Sequence, residues 1–347
     1  MSHLFAKADA AAIPLPDQSV DLVFGSPPYT DARLYLEAGI DLGISRDTDG
    51  WVAWMLAATE EALRVSRGCV VWIAWGPTRD RNYQPACEGL MWEWFKRGGS
   101  AYRPCFWHRV GISGSGGDQW FRADVEYAMC FKRSGPLPWT DNTAMGHPPK
   151  WAPGGEMSHR MSDGTRCNQW GGHENQSDRG PDGVLKKRTV KPSHRIETRA
   201  EAGGRRKAAV AQGLGKTMSP RDSSVWAEGD ERGEWNYVPP AIANPGCLIK
   251  TTTGGGQLGW DGAHENEAPF PAELAEWFVR SLCPPGGTVL DPFSGSGTTV
   301  SVANAHGRHG IGLDLRMSQC RLGTRRLERP HQIVPRVQKA EHFPLFD

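Results

Sequence analysis

Residues 288–315 read TVLDPFSGSGTTVSVANAHGRHGIGLDL, and the succession of residue types is that of a nucleotide-binding unit. Thr288 to Leu290 is a short apolar run of the strand type. The turn Asp291, Pro292, Phe293, Ser294, Gly295, Ser296, Gly297, Thr298, Thr299 follows it. Its glycines let the backbone bend tightly and come close to a ligand. A helix is expected over Thr298 to Ala305, and a second strand over Ile311 to Leu313 ends at the acidic Asp314. Strand, glycine turn, helix, strand, carboxylate is a βαβ layout in which the last side chain accepts hydrogen bonds from ribose hydroxyls. A phosphate loop would need a lysine after its last glycine, and Thr298 stands there instead. A glycine turn without a ligand stays open as the alternative.

Just upstream, Pro271 to Cys283 (PAELAEWFVRSLC) puts Leu274, Trp277, Phe278, Ser281 and Leu282 on one helical face, with Pro271 suited to the first turn. Near the other end of the chain, Val20 to Phe24 (VDLVF) reads as a buried strand stopped by Gly25, Ser26 and two prolines. Trp51 to Val65 carries apolar residues at helical spacing, and Cys69 to Trp75 (CVVWIAW) is a second buried strand. Tyr102 to Val110 and Val125 to Lys132 flank the glycine-rich GISGSGG and suggest a hairpin with a long loop. Residues 1–135 and 235–330 are therefore two α/β stretches, separated by residues 136–234, with a tail over 331–347. There is no internal repeat.

The middle stretch is poor in apolar residues and has no clear periodicity, which is the composition of a linker or a disordered segment. It is also strongly basic. Between Val184 and Arg221 stand eleven lysines and arginines, among them Lys186, Lys187, Arg188, Arg205, Arg206 and Lys207, opposed only by Glu197 and Glu201. Such a block is a solvated face unless the rest of the chain calls for a phosphate-binding surface. The whole chain is nearly neutral at +1, so its overall charge names no partner. No apolar run is long enough to cross a membrane, and no export signal is legible at the start. The eight cysteines form no CxxC pair, so reduced thiols in a cytoplasmic protein are expected, with no zinc site or other metal.

The second informative motif is Ser26, Pro27, Pro28, Tyr29. Alone it is an ordinary Pro-Pro turn. It offers two hydrogen-bond acceptors, the Ser26 hydroxyl and the Pro27 carbonyl, on a rigid backbone beside an aromatic face at Tyr29. With DPFSGSGTT far downstream, the chain resembles the DNA amino-methyltransferases. The order resembles their β group, in which the catalytic motif comes first, a target-recognition region second and the cofactor motif last. The likeness extends to Asp9, to HENEAPFP (His264 to Pro271), to GIGLDL (Gly310 to Leu315) and to the arginine-rich helix ending in RRLE.

The resemblance implies a doubly wound, mostly parallel α/β sheet in circularly permuted motif order, with an irregular insertion, and S-adenosyl-L-methionine as cofactor. Phe293, Ser294, Gly295 and Gly297 would shape the methionine side of its pocket, with Asp291 and Ser296 also among the cofactor-binding residues. Thr298 and Thr299 would cap the following helix, Asp314 would hold the ribose, Asp9 would lie near the adenine and Phe270 would pack on the cofactor. The substrate would be the exocyclic amine of a base, a poor nucleophile because its lone pair is delocalised into the ring. Acceptors at Ser26 and Pro27 would draw that nitrogen toward a tetrahedral form, and a flipped base would stack on Tyr29. Serine in the first position favours N4 of cytosine, with N6 of adenine as the alternative. C5 chemistry would need a nucleophilic cysteine, and Cys105 reads instead as a strand residue. The basic block becomes the candidate DNA surface, for duplex DNA first and single strands second. A cognate restriction endonuclease is the partner such an enzyme would call for. Residue types leave an RNA or small-molecule amine methyltransferase and a non-catalytic nucleic-acid-binding module as rivals, and they do not fix the oligomeric state.

Overall fold

Apolar residues alternate between two faces along the central strands, and that alternation explains the layers. The computed structural model describes residues 3–30, 36–37, 40–41, 47–111, 121–148, 226–227, 236–237, 242–252, 260–266 and 268–328. Nine strands of the main sheet are numbered here in chain order: β1 (His3–Lys7), β2 (Val20–Gly25), β3 (Ser66–Ala74), β4 (Ser100–Ala101), β5 (Cys105–Val110), β6 (Val125–Lys132), β7 (Leu248–Thr252), β8 (Thr288–Asp291) and β9 (His309–Asp314). Eight of them lie side by side in the order β1-β9-β8-β2-β3-β6-β5-β7, and β4 pairs with β6 off that path. The neighbours from β1 to β3 are all parallel, and β6 runs antiparallel to β3, β4 and β5. The sheet is thus mostly parallel.

Val23 of β2 and Val70, Trp72 and Ala74 of β3 point to one face, where α1 (Thr48–Val65) and α2 (Ala86–Lys96) cover them. Leu22 and Phe24, with Cys69, Val71 and Ile73, point to the other, where α3 (Ala272–Leu282) and α4 (Thr298–Ala305) pack. A further helix, α5 (Met317–Leu327), packs on β1 and β9. Strands buried on both faces read as continuous apolar runs, as VDLVF and CVVWIAW do.

The expected elements are present with small shifts of boundary. The first helix starts at Thr48 rather than Trp51, because the Asp47 carboxylate accepts from the Gly50 amide at 2.7 Å and caps it. The strand expected from Cys69 starts at Ser66, which pairs with Val20. Besides the two-residue β4, three elements had no clear signal in the sequence. Two are the edge strands β1 and β7; along β7 only alternate residues are buried. The third is α2, with just Ala86, Cys87 and Leu90 buried.

By internal packing the chain divides into two units, Met1–Met145 with Pro245–Asp347, and Gly146–Asn244. In the second, the described residues include two short paired strands, Trp226–Ala227 and Asn236–Tyr237. The basic residues Lys186, Lys187, Arg188, Arg205, Arg206 and Lys207 lie outside the described residues. No helix among the described residues is long and apolar enough to cross a membrane.

Phe5 of β1 seats the glycine turn against the sheet. Its ring fills the space left by Gly297, Gly312 and Gly323, and a Cβ at Gly312 would collide with the ring edge and come within 3.0 Å of the Ser294 Cβ. Gly312→Ala is therefore expected to lower unfolding stability by about 1–3 kcal/mol, and trimming the ring with Phe5→Leu in the same chain should recover part of it. Urea denaturation of the two variants checks this; an unchanged midpoint for Gly312→Ala would show that the ring does not need the gap.

Candidate active site

Four adjacent parallel strands, β1, β9, β8 and β2, deliver their following loops to one edge of the sheet. Open α/β sheets bind ligands outside the carboxyl ends of their strands. At that edge lies a cavity of about 570 Å³, with Asp9 from after β1, Ser26 to Tyr29 from after β2, Pro292 to Ser296 from after β8, and Asp314 from the end of β9. Two motifs near opposite ends of the chain meet because β2 pairs directly with β8, Leu22 beside Val289 and Val23 beside Leu290.

Of the residues expected at a cofactor, Asp9, Phe270, Phe293, Ser294, Gly295, Ser296, Thr298 and Asp314 line the cavity. Asp314 is nearly buried, and burial raises its pKa above the ordinary carboxylate value. Its Oδ2 accepts from the Gly295 amide at 3.1 Å and its Oδ1 from the Arg316 amide at 2.9 Å. Carboxylate oxygens have further lone pairs, so hydroxyl donors from a ligand can still be accepted. Phe293 sits between Trp54 and Trp72, edge-on to both rings at 5.6 and 5.5 Å. Phe270 lies edge-on to Phe24 at 5.7 Å. The Asp9 carboxylate accepts from the Ala11 amide at 2.9 Å and shapes its own turn.

Asp291, Gly297 and Thr299 do not line the cavity, and the two threonines do not cap the helix as expected. The N-cap of α4 is Gly297, in the left-handed region at φ 77°, with no side-chain cap bond. Thr299 points the other way and donates to Asp291 Oδ2 at 2.5 Å, while Thr298 Oγ1 accepts from the buried Arg326 at 2.8 Å. The threonines tie the turn to its surroundings instead. Asp291 is fully buried, and its Oδ1 accepts from the Phe293 amide at 3.0 Å. It lies so close beneath the end of β2 that a Cβ on Gly25 would come within 2.7 Å of its Oδ1. Gly25 thus lets the two motifs approach.

In the second motif, the Ser26 hydroxyl donates to the Ile73 carbonyl at 3.1 Å. Its one proton is committed to the sheet, so its lone pairs serve as acceptors. The Pro-Pro turn is pinned by the Trp51 indole, which donates to the Pro28 carbonyl at 2.7 Å. The Tyr29 hydroxyl, which a stacking ring does not itself require, donates to Glu126 Oε2 at 2.5 Å. Burial first, and the Glu126 charge second, push the Tyr29 pKa well above its ordinary value.

Asn266 lies within HENEAPFP, but several other lining residues were not legible in the sequence: Trp54, Trp75, Trp107, Arg109, Glu126 and Arg316. They arrive from separate elements and form no local motif. One signal was available, since Glu126 is a carboxylate inside the otherwise apolar run VEYAMCF. Cys105 opens β5, and hydrogen bonding with Cys130 together with burial raises its thiol pKa, the reverse of what an activated nucleophile needs.

This sheet order, with β6 reversed and the site over the parallel strand ends, defines the S-adenosylmethionine-dependent methyltransferase fold. Solved structures share it. PvuII DNA methyltransferase (cytosine-N4-specific) aligns at TM-score 0.55 and 14% identity, covering 94% of this chain and 86% of that one. A DNA modification methylase from Thermus thermophilus, TTHA0409, aligns at TM-score 0.51 and 19% identity, covering 96% and 97%. A model for DNA methylases of the N6 and N4 type matches residues 20–325, and the chain belongs to that DNA methylase family. Curated relatives match over shorter segments. The Type II methyltransferase M.ScaI of Streptomyces caespitosus is 38% identical over 61 residues, 18% of this chain and 20% of its own. The DNA adenine methyltransferase YhdJ of Escherichia coli (strain K12) is 41% identical over 58 residues, 17% of this chain and 20% of its own. The chain thus aligns with about a fifth of the length of each of these two relatives.

Asp291 carries a pH dependence. Burial raises its pKa from the ordinary 3.8 to about 7, against the two hydrogen bonds it accepts. Between those values the folded state holds more protons than the unfolded chain, so this group removes stability as pH rises through them. Asp291→Asn keeps the neutral shape and should flatten the fall of unfolding free energy from about pH 4 to 7, measured by urea titration. A variant profile that parallels the wild type would contradict the assignment.

Proposed function

We propose that this protein transfers a methyl group from S-adenosyl-L-methionine to the exocyclic amino nitrogen of a DNA base, N4 of cytosine in a specific sequence. The observation that carries this reading is that the Ser26 and Pro27 acceptors open into the same cavity as the Asp314 carboxylate. The donor set fits the cofactor: Asp314 can accept from ribose hydroxyls, and the Ser294 hydroxyl is buried without a partner among the described residues. When bound, the cofactor supplies an electrophilic methyl group on a sulfonium. Asp314 with Phe293, Ser294, Gly295, Ser296 and Thr298 would hold it, with Asp9 on the adenine side and Phe270 packing against it. Below them Asp291 and Thr299 brace the turn, with Gly297 at its end.

Ser26 and Pro27 accept the two amino hydrogens and localise the nitrogen lone pair, and Pro28 keeps the turn rigid. Tyr29 gives the base a face to lie on. Orientation for in-line attack, together with this preorganised acceptor pair, lowers the barrier. The basic residues of the middle stretch, Lys186 to Arg188 and Arg205 to Lys207, supply the phosphate contacts to duplex DNA, or to a single strand. Likeness to an adenine methyltransferase of Escherichia coli over a short segment supports N6 of adenine as the second reading.

The test is incubation with labelled cofactor and DNA, digestion to nucleosides and identification by mass. N4-methylcytosine is expected; N6-methyladenine would move the target base, and no methylated nucleoside would defeat the reading. Ser26→Ala should slow single-turnover transfer about 10²–10³-fold with cofactor affinity intact. Asp314→Ala should weaken cofactor binding by about 1.5–3 kcal/mol in calorimetry. Unchanged affinity there would remove the ribose assignment.

A further inference from the structure

Glu126 is a buried carboxylate on the wall of the cavity, in a strand whose other inward residues are apolar. Burying a carboxylate is costly unless it is paired and hydrogen-bonded, and Glu126 is both. Its Oε1 meets Arg109 Nη1 at 3.0 Å, and its Oε2 accepts a hydrogen bond from the Tyr29 hydroxyl at 2.5 Å. Arg109 is fixed in turn, because its Nη2 donates to the Ala123 carbonyl at 2.8 Å. Glu126 and Trp107 face each other in the β5–β6 pairing, so the carboxylate is carried by the sheet and not by a loop.

The backbone of the second motif is held by its two prolines and by the Trp51 indole on the Pro28 carbonyl. The Tyr29 side chain has two rotatable bonds; its ring packs against the core on the α1 and α2 side of the sheet, and its hydroxyl end is held by Glu126. A plane offered to a base is useful only if its tilt is set before the base arrives.

We infer that Glu126 is a positioning residue for methyl transfer: clamped by Arg109, it grips the Tyr29 hydroxyl and fixes the plane of the ring on which the target base lies. This rests on reading Ser26 to Tyr29 as the active motif. It also gives the Tyr29 hydroxyl a role that stacking alone does not require.

The experiment is a double-mutant cycle on single-turnover methyl transfer, with cofactor affinity measured in parallel. Glu126→Ala should slow transfer about 10²-fold, the scale of a misplaced reacting group, without changing cofactor affinity. Glu126→Gln, whose amide oxygen still accepts the hydroxyl proton, should recover most of the rate. Tyr29→Phe should slow transfer to a similar extent, and adding Glu126→Ala to it should cost no more than about a further twofold. A wild-type rate for Glu126→Ala, or a double variant slowed by the product of the single effects, overturns the inference. If Glu126→Ala does not fold, Tyr29→Phe decides, since it leaves the Glu126–Arg109 pair intact; a wild-type rate for it overturns the inference equally. Ser26→Ala run alongside separates the two levels. If it too transfers at the wild-type rate, the motif reading itself fails; if it is slow while Glu126→Ala is not, only the role of Glu126 falls.

Discussion

The pairing of β2 with β8 is the constraint from which the site follows. Each strand ends in a loop that does little alone, a Pro-Pro turn after β2 and a glycine turn after β8. Parallel neighbours send both loops off the same edge of the sheet, so residues from opposite ends of the chain share one cavity. The close fit at the junction needs a residue without a side chain at Gly25, above the buried Asp291 carboxylate. The permuted order of motifs is therefore compatible with one site, because strand neighbours and not chain order set what meets.

Buried polar groups do much of the positioning. Asp291 holds the glycine turn through Thr299 and the Phe293 amide, Asp314 holds it through Gly295, and Glu126 holds Tyr29. Each of these carboxylates is satisfied by more than one donor, which is what makes burial of a charge-bearing group tolerable. Such groups favour a single geometry over many nearly equal ones, since any shift leaves a donor or acceptor unmet in a water-poor interior. The acceptors at Ser26 and Pro27 belong to the same scheme, because the Ser26 proton is already given to Ile73.

Much of the fold was legible because its central strands are buried on both faces and its helices have a clear apolar side. VDLVF and CVVWIAW show this, and so does PAELAEWFVRSLC, whose helix lies one residue inside each expected end. The edge strands and α2 escaped notice because a half-covered element leaves a weak pattern. At the site, continuous motifs could be read, while a wall assembled from single residues on different strands could not. Arg109 and Glu126 lie on neighbouring strands and meet only through the sheet. The capping role expected for Thr298 and Thr299 failed for a related reason. Gly297 can take the left-handed cap conformation itself, and it frees both hydroxyls for tertiary contacts.

On the proposed function, one cavity would hold the methyl donor at its Asp314 end and the target amine at its Ser26 end. A crystal structure of the protein with S-adenosylhomocysteine measures this most directly. The expected result is ribose hydroxyls on the Asp314 carboxylate and the sulfur facing the Ser26 hydroxyl and the Pro27 carbonyl. A ligand seated with its ribose away from Asp314, or with its sulfur turned from Ser26 and Pro27, would contradict it.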